Sequence, residues 1–235
     1  KNVSQMFDTA HEVELVFGEN MVIADPADIT ITYDDHETSY GNEYKHDYYL
    51  VLVDGVAIDP LANPYEGYTG AFEGMKVKIT NLGNIKYIGW NAFRNADLNA
   101  ASRSVAVSNS QTIGGYIFAG SNVESLSVDT TEVGQGICKD CTSLSSLTIG
   151  DNVTTLHGSV FEGTTALAQT FGSNNITKIE GRAFKNSGIT GVDFDSALEV
   201  IDYQAFMGTN LGEVVLGDNV KQVRDEAFRS AGLND

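Results

Sequence analysis

The only two cysteines of the 235-residue chain, Cys138 and Cys141, stand in GICKDCTSLSSLTIG at 136–150. A C-x-x-C spacing suits a redox pair, in which one thiolate attacks and the other resolves, and it supplies half of a four-ligand zinc site. Two thiols alone do not complete such a site without histidines nearby. In an exported protein the pair can also close as a disulfide across its short loop. A second gathering of ligand-type residues is DDHETSYGNEYKHD at 34–47, with Asp34, Asp35, His36, Glu37, Glu43, His46 and Asp47. It lacks the D-x-[DN]-x-[DN]-G spacing of a calcium loop and reads as a solvated acidic loop. The chain has no G-x-S-x-G elbow, no H-E-x-x-H, no phosphate-binding Walker loop and no dinucleotide fingerprint after a strand. Its carboxylates are numerous, but no two are singled out as the pair a glycosidase needs. The residues therefore predict a protein that is not an enzyme, with no catalytic, metal or cofactor site.

Bulk composition narrows the classes further. The chain is 42% apolar and 20% charged, which suits a folded protein with a sizeable core. Its 32 acids against 14 bases give a formal charge of -18, a field that repels phosphate backbones and anionic lipid surfaces. Nucleic acid is not an expected partner. The longest strongly apolar stretch, YYLVLVDGVAI at 48–58, is interrupted by Asp54 and Gly55 and is shorter than the roughly 20 residues a spanning helix needs. No membrane insertion is expected of this stretch. The sequence starts without a methionine or a basic and apolar leader, and is read as a mature or trimmed form.

The elements that position Cys138 and Cys141 emerge from an internal repeat. The phenylalanines of IGWNAF, GGYIF, HGSVF, EGRAF, DYQAF and RDEAF are Phe93, Phe118, Phe161, Phe184, Phe206 and Phe228. With Cys138 placed between the second and third, the steps are 25, 20, 23, 23, 22 and 22 residues. Five residues before each marker is an aliphatic residue, from Ile88 to Val223, and one before it is Ala, Ile or Val. Three after it is a small residue: Ala96, Ser121, Cys141, Thr164, Ser187, Thr209 and Ala231. A period-2 pair usually follows, as in Leu126 with Val128, Leu147 with Ile149, Val192 with Phe194 and Val214 with Leu216.

A fixed period of this length marks units that cannot bury an apolar face alone and must stack. Each unit is read as one short strand, at the period-2 pair, and one helical or irregular turn carrying A-F-x-x-small. The GDN and GSN stretches at 150–152, 172–174 and 217–219 supply the turns that leave the strands. Cys138 then stands in the marker column and Cys141 in the small-residue column, so both thiols are expected in the core and inert to alkylation. His157 stands in a column that elsewhere carries Gly or a charged residue, and reads as a surface or edge histidine. Two copies depart from the pattern. LAQTFGSNN in the fourth predicts a slipped or irregular strand, and NAASRSVAV in the first is an insertion before the pair Val105 and Val107. The seventh copy stops at Leu233-Asn234-Asp235, before any strand, and is read as either truncated or an open cap.

The pattern I-G-x-x-A-F-x-x-C/small-x-x-L-x-x-L-x-L resembles the BspA-like class of leucine-rich repeats found in bacterial surface proteins, over about residues 80–235. The resemblance implies an α/β, β-dominated solenoid of about seven repeats with a parallel strand ladder and short helical turns. It also implies a non-catalytic protein, extracellular or at the cell surface, that binds other proteins or host-matrix components.

Residues 1–70 differ in composition, with 14 acids against 2 bases, all three prolines and seven of the ten tyrosines. VELVF, ITITY and YYLVLVDGVAI are rich in β-formers, so residues 1–70 are read as an acidic β cap or small domain before the solenoid of residues 71–235. A degenerate repeat is the alternative, because VFGENMV at 16–22 echoes VLGDNV at 215–220. AFEGMKVKITNLGNI at about 71–85 looks like a partial opening repeat, with its strand at Val77 to Ile79.

The residues alternating with the buried strand pair should line one face: Ala106, Ser127, Thr148, Asp193 and Val215, with Lys78 where the stack begins. Lys78, Ser127, Thr148 and Asp193 are candidate binding residues, although this face lacks the Trp, Tyr and Arg anchors of strong protein contacts. Tyr40, Tyr44, Tyr48 and Tyr49 are better equipped to touch protein or sugar, or else they pack the cap. A monomer with a protein or glycan ligand is expected. The rival function is a carbohydrate-binding or glycan-utilisation accessory protein acting through the N-terminal segment.

Overall fold

The computed structural model describes residues 12–17, 21–23, 70–131, 133–173, 175–194 and 197–233. Within them the chain winds into a β-solenoid whose strands pair only in parallel. One file of strands comprises β1 (Glu12–Val16), β3 (Lys76–Thr80), β5 (Asp97–Leu98), β6 (Ser104–Ser108), β8 (Ser125–Asp129), β9 (Ser146–Ile149), β11 (Thr170–Ser173) and β13 (Gly191–Phe194). The other holds β2 (Met21–Ile23), β4 (Ile85–Ile88), β7 (Thr112–Ile113), β10 (Thr155–Leu156), β12 (Lys178–Ile179), β14 (Val200–Ile201) and β15 (Gln222–Val223). The second file is the aliphatic column, which the sequence placed five residues before each marker without giving it a strand. Residues 12–16 and 21–23 join the two files, β1 pairing with β3 and β2 with β4.

The strands form where the period-2 pairs stand. In β6 and β8 the inward residues Val105, Val107, Leu126 and Val128 are buried, while β9 buries Leu147. The last expected pair differs. Around Val214 and Leu216 the backbone makes one isolated bridge, Gly212 to Leu233, and no strand. A strand exists only where a neighbouring backbone supplies its ladder bonds, and among the described residues none pairs with 213–217. Val215 and Leu216 are accordingly 70% and 45% exposed.

The turns that carry A-F are irregular rather than helical. Among the described residues the helical pieces are two three-residue 3₁₀ turns, Leu82–Asn84 and Ala100–Ser102. Each marker turn opens two residues before the marker on a left-handed backbone, at Asn91, Tyr116, Gly136, Ser159, Arg182, Gln204 and Glu226. All but Gly136 are residues other than glycine, so the conformation costs something at those coils. It is offset by hydrogen bonds from coil to coil. Each marker N–H donates to the carbonyl just before the next marker: Phe93 to Ile117 at 2.8 Å, Phe118 to Ile137 at 2.9 Å and Cys138 to Val160 at 3.1 Å. The series continues with Phe161 to Ala183, Phe184 to Ala205 and Phe206 to Ala227 at 2.7–2.8 Å. It also begins one coil earlier, since Phe72 N–H donates to Ala92 and the Phe72 and Phe93 rings stack at 5.2 Å.

The two irregular copies are sealed by side chains. Leu98 ends β5, and its N–H and C=O are met by the amide of Asn122, at 2.6 and 3.1 Å, where the insertion interrupts the ladder. Leu147 in β9 is held in the same way by the amide of Gln169, at 3.0 and 2.9 Å, because β11 pairs with β13 alone. A carboxamide presents the same donor and acceptor as a peptide group, so it can stand in for a missing strand.

Candidate binding surfaces

Chemistry at the C-x-x-C pair is disfavoured by where the repeat puts it. Cys138 and Cys141 are free thiols with no exposed surface. Cys138 occupies the marker position and makes the marker's backbone bond. The Cys141 thiol donates to the Phe118 carbonyl at 3.0 Å, where Thr164 and Thr209 return their hydroxyls to the marker of their own coil. Burial, then the neighbouring Cys141, pushes the Cys138 thiol well above its ordinary value, which keeps it protonated and a poor nucleophile.

The strand face holds four of the residues chosen from sequence. Ser127 and Thr148 are register partners in β8 and β9, and Ala106 is partner to Ser127 across β6. Asp193 lies apart from them in β13, beside Gly172. Lys78 is on β3, where it donates to Glu14 of β1 at 2.7 Å. The hydrogen bond and charge of Lys78 hold the Glu14 carboxyl below its ordinary value, and Glu14 in turn raises Lys78. The structure thus brings Ser127 and Thr148 together and leaves Lys78 and Asp193 at other points along the stack. Tyr40, Tyr44, Tyr48 and Tyr49, and the acidic loop at 34–47, lie outside the described residues. Among the described residues no group of three or more His, Cys, Asp and Glu is placed to hold a metal, and no helix is long and apolar enough to cross a membrane.

The Trp, Tyr and Arg side chains missing from the strand face stand on another side, at the start of the marker turns. The Trp90 ring crosses the next coil over Gly114 and Gly115, and Tyr116 lies over Gly136. The Trp90 and Tyr116 centroids are 6.0 Å apart. Farther along, Tyr203 lies over Gly181 of the preceding coil, and the Arg182 guanidinium stands 5.4 Å from the Tyr203 ring centre. A Cβ at Gly115, Gly136 or Gly181 would fall inside the adjacent ring, so these glycines make the seats. The exposed Gln135 amide donates to the Tyr116 hydroxyl at 3.0 Å. Between the two aromatic groups, Glu180 accepts from Gly158 N–H at 3.1 Å and lies 3.3 Å from His157 Nδ1. His157 is half-buried at this edge, as its column suggested. Sequence reasoning passed over this edge because each ring and its glycine belong to different coils.

Charges one residue past the markers pair along the same stack. Lys139 and Lys185 flank Glu162 at 2.8 and 4.0 Å. Partial burial pulls the Glu162 carboxyl up, but hydrogen bonds from Lys139 and Ser159 and the charges of both lysines outweigh it and hold the group below its ordinary value. At Glu180 burial is likewise outweighed, by Lys178 and His157.

No curated protein and no solved structure matched the chain. A family model for the BspA type leucine-rich repeat region did, in six copies that span residues 68–168 and 111–234. That family is generally non-catalytic, a repeat scaffold rather than a site of turnover. The matched span takes in every marker from Phe72 to Phe228 with its coil-to-coil bonds, and the chain belongs to the BspA type leucine-rich repeat family.

Proposed function

We propose that the chain is a non-catalytic binding protein, extracellular or at the cell surface, that uses the solenoid to present side chains to another protein or to a matrix component. The observation that carries this reading is the separation of fold from surface. The marker N–H to carbonyl bond repeats from Phe72 to Phe206, while the outward column changes from Lys78 to Thr148 to Asp193. Residues that face outward on such a stack can vary without touching the bonds that hold it, which suits recognition. Family membership supports the surface location, since proteins of this type are generally bacterial surface proteins.

Binding of the whole chain to immobilised extracellular-matrix proteins, measured by surface plasmon resonance, tests the reading. Saturable binding to at least one of them, reduced by outward-facing substitutions that leave thermal unfolding unchanged, is the expected result. Turnover of a substrate that is abolished by a single carboxylate change would overturn it.

A further inference from the structure

We propose that the turn edge from Tyr116 to Tyr203 binds a neutral polysaccharide lying along the stack axis. The inference rests on the scaffold reading but concerns a different ligand class from the protein ligand proposed above. Its first support is the way the rings are seated. Tyr116 lies over Gly136 and Tyr203 over Gly181, positions at which any larger residue would displace the ring. Rings fixed in this way form platforms that lose little freedom on contact, and the apolar face of a sugar packs well on such a surface.

The second support is spacing. Coils joined by parallel ladders repeat at about 4.7–4.9 Å, successive marker rings follow at 5.2–5.5 Å, and both distances are close to the length of one sugar unit in an extended chain. Tyr116 and Tyr203 lean toward each other over the third and fifth marker coils, and Gly158 in the coil between them has no side chain of its own, with the Gln135 amide 3.7 Å from where its Cβ would lie and the His157 ring beside Glu180. Hydrogen-bonding groups flank the path: the Gln135 amide, Glu180, and Arg182, which donates through Nε to Gln204 Oε1 at 3.0 Å.

Two further properties fix the class of ligand. The edge is a single file of rings, and a stable protein interface buries about 800 Å² on each partner, which favours a linear polymer over a folded protein. The formal charge of -18 disfavours uronate and sulfated chains, so the polymer should be uncharged.

The test uses the chain's single tryptophan, Trp90, whose ring centre is 6.0 Å from that of Tyr116. The whole chain is titrated with cellohexaose, xylohexaose, mannohexaose and maltohexaose, and with polygalacturonate as the anionic control, while tryptophan emission is followed and affinity is measured by calorimetry. A saturable response to at least one neutral hexasaccharide and none to polygalacturonate is expected. Tyr203→Ala should weaken the binding tenfold or more, Tyr203→Phe should keep most of it, and Thr148→Ala on the strand face should not change it. Unchanged thermal unfolding of Tyr203→Ala separates loss of the platform from loss of the fold. The proposal is overturned if none of the four neutral oligosaccharides binds, if Tyr203→Ala binds as tightly as the parent, or if Thr148→Ala loses as much. Matrix-protein binding that disappears in Tyr203→Ala without any sugar binding would also overturn it, by making the edge a protein site while leaving the scaffold reading intact.

Discussion

From Phe161 to Phe228 four rings follow one another at 5.3–5.5 Å, while one coil earlier Cys138 interrupts the file and, among the described residues, no ring bridges Phe118 to Phe161. The backbone does not register the change. Cys138 N–H still donates to Val160, as its phenylalanine counterparts do to their own neighbours. The contrast separates two roles that the sequence pattern merges. Coil-to-coil hydrogen bonds set the register, and the marker side chain fills the space that register encloses.

Substitutions along the file sharpen the contrast. Phe184 is packed between Phe161 and Phe206 and lies 4.7 Å from Phe171, so Phe184→Ala should cost about 3–5 kcal/mol in chemical denaturation. Gln169→Leu keeps a side chain of similar size but leaves the Leu147 N–H and C=O without partners, a loss of about 1–3 kcal/mol. Cys138→Ala removes a single sulfur from a site that holds no ring, and about 1 kcal/mol is expected by the same measurement. A Cys138→Ala loss as large as that of Phe184→Ala would erase the distinction between register and filling.

The smallest effect is electrostatic. Glu162 and Glu180 have carboxyls held below their ordinary values in the folded chain. Groups shifted in that direction contribute stability that is fully present above the unfolded-state value and is lost as pH falls through the folded-state value. The melting temperature should therefore fall on acidification through the carboxylate range, and Glu162→Gln should flatten part of that slope. Because the pairs are partly exposed, added salt should weaken the effect.

Much of the fold was legible because it is periodic. From Phe93 to Phe206 the steps of 20–25 residues carry the marker, the aliphatic column and the small column to their places in the core, and β3, β6, β8, β9 and β13 lie where alternation put them. What was not legible depends on contacts between coils. Val214 and Leu216 have the right period, but a strand also needs a neighbouring backbone. The amides of Asn122 and Gln169 look like ordinary polar residues until each meets a leucine peptide group 22 to 24 positions away. The edge was hidden in the same way. Its signal is a glycine in the coil next to an aromatic residue, as at Trp90 with Gly115 and Tyr116 with Gly136, and alignment of the columns displays it only once ring direction is known. A related alternation, Asn95 with Gly120, Asp140 with Gly163 and Asn186 with Gly208, arises because each Oδ1 occupies the place of the next coil's missing Cβ.

The claim on which the account turns is that the C-x-x-C pair is part of the core and not a reactive site. Alkylation of the native protein with iodoacetamide, followed by intact mass, tests it directly. Both thiols should stay unmodified under native conditions, and both should react after denaturation. Rapid labelling of either thiol without denaturant would contradict the account and return the pair to chemistry.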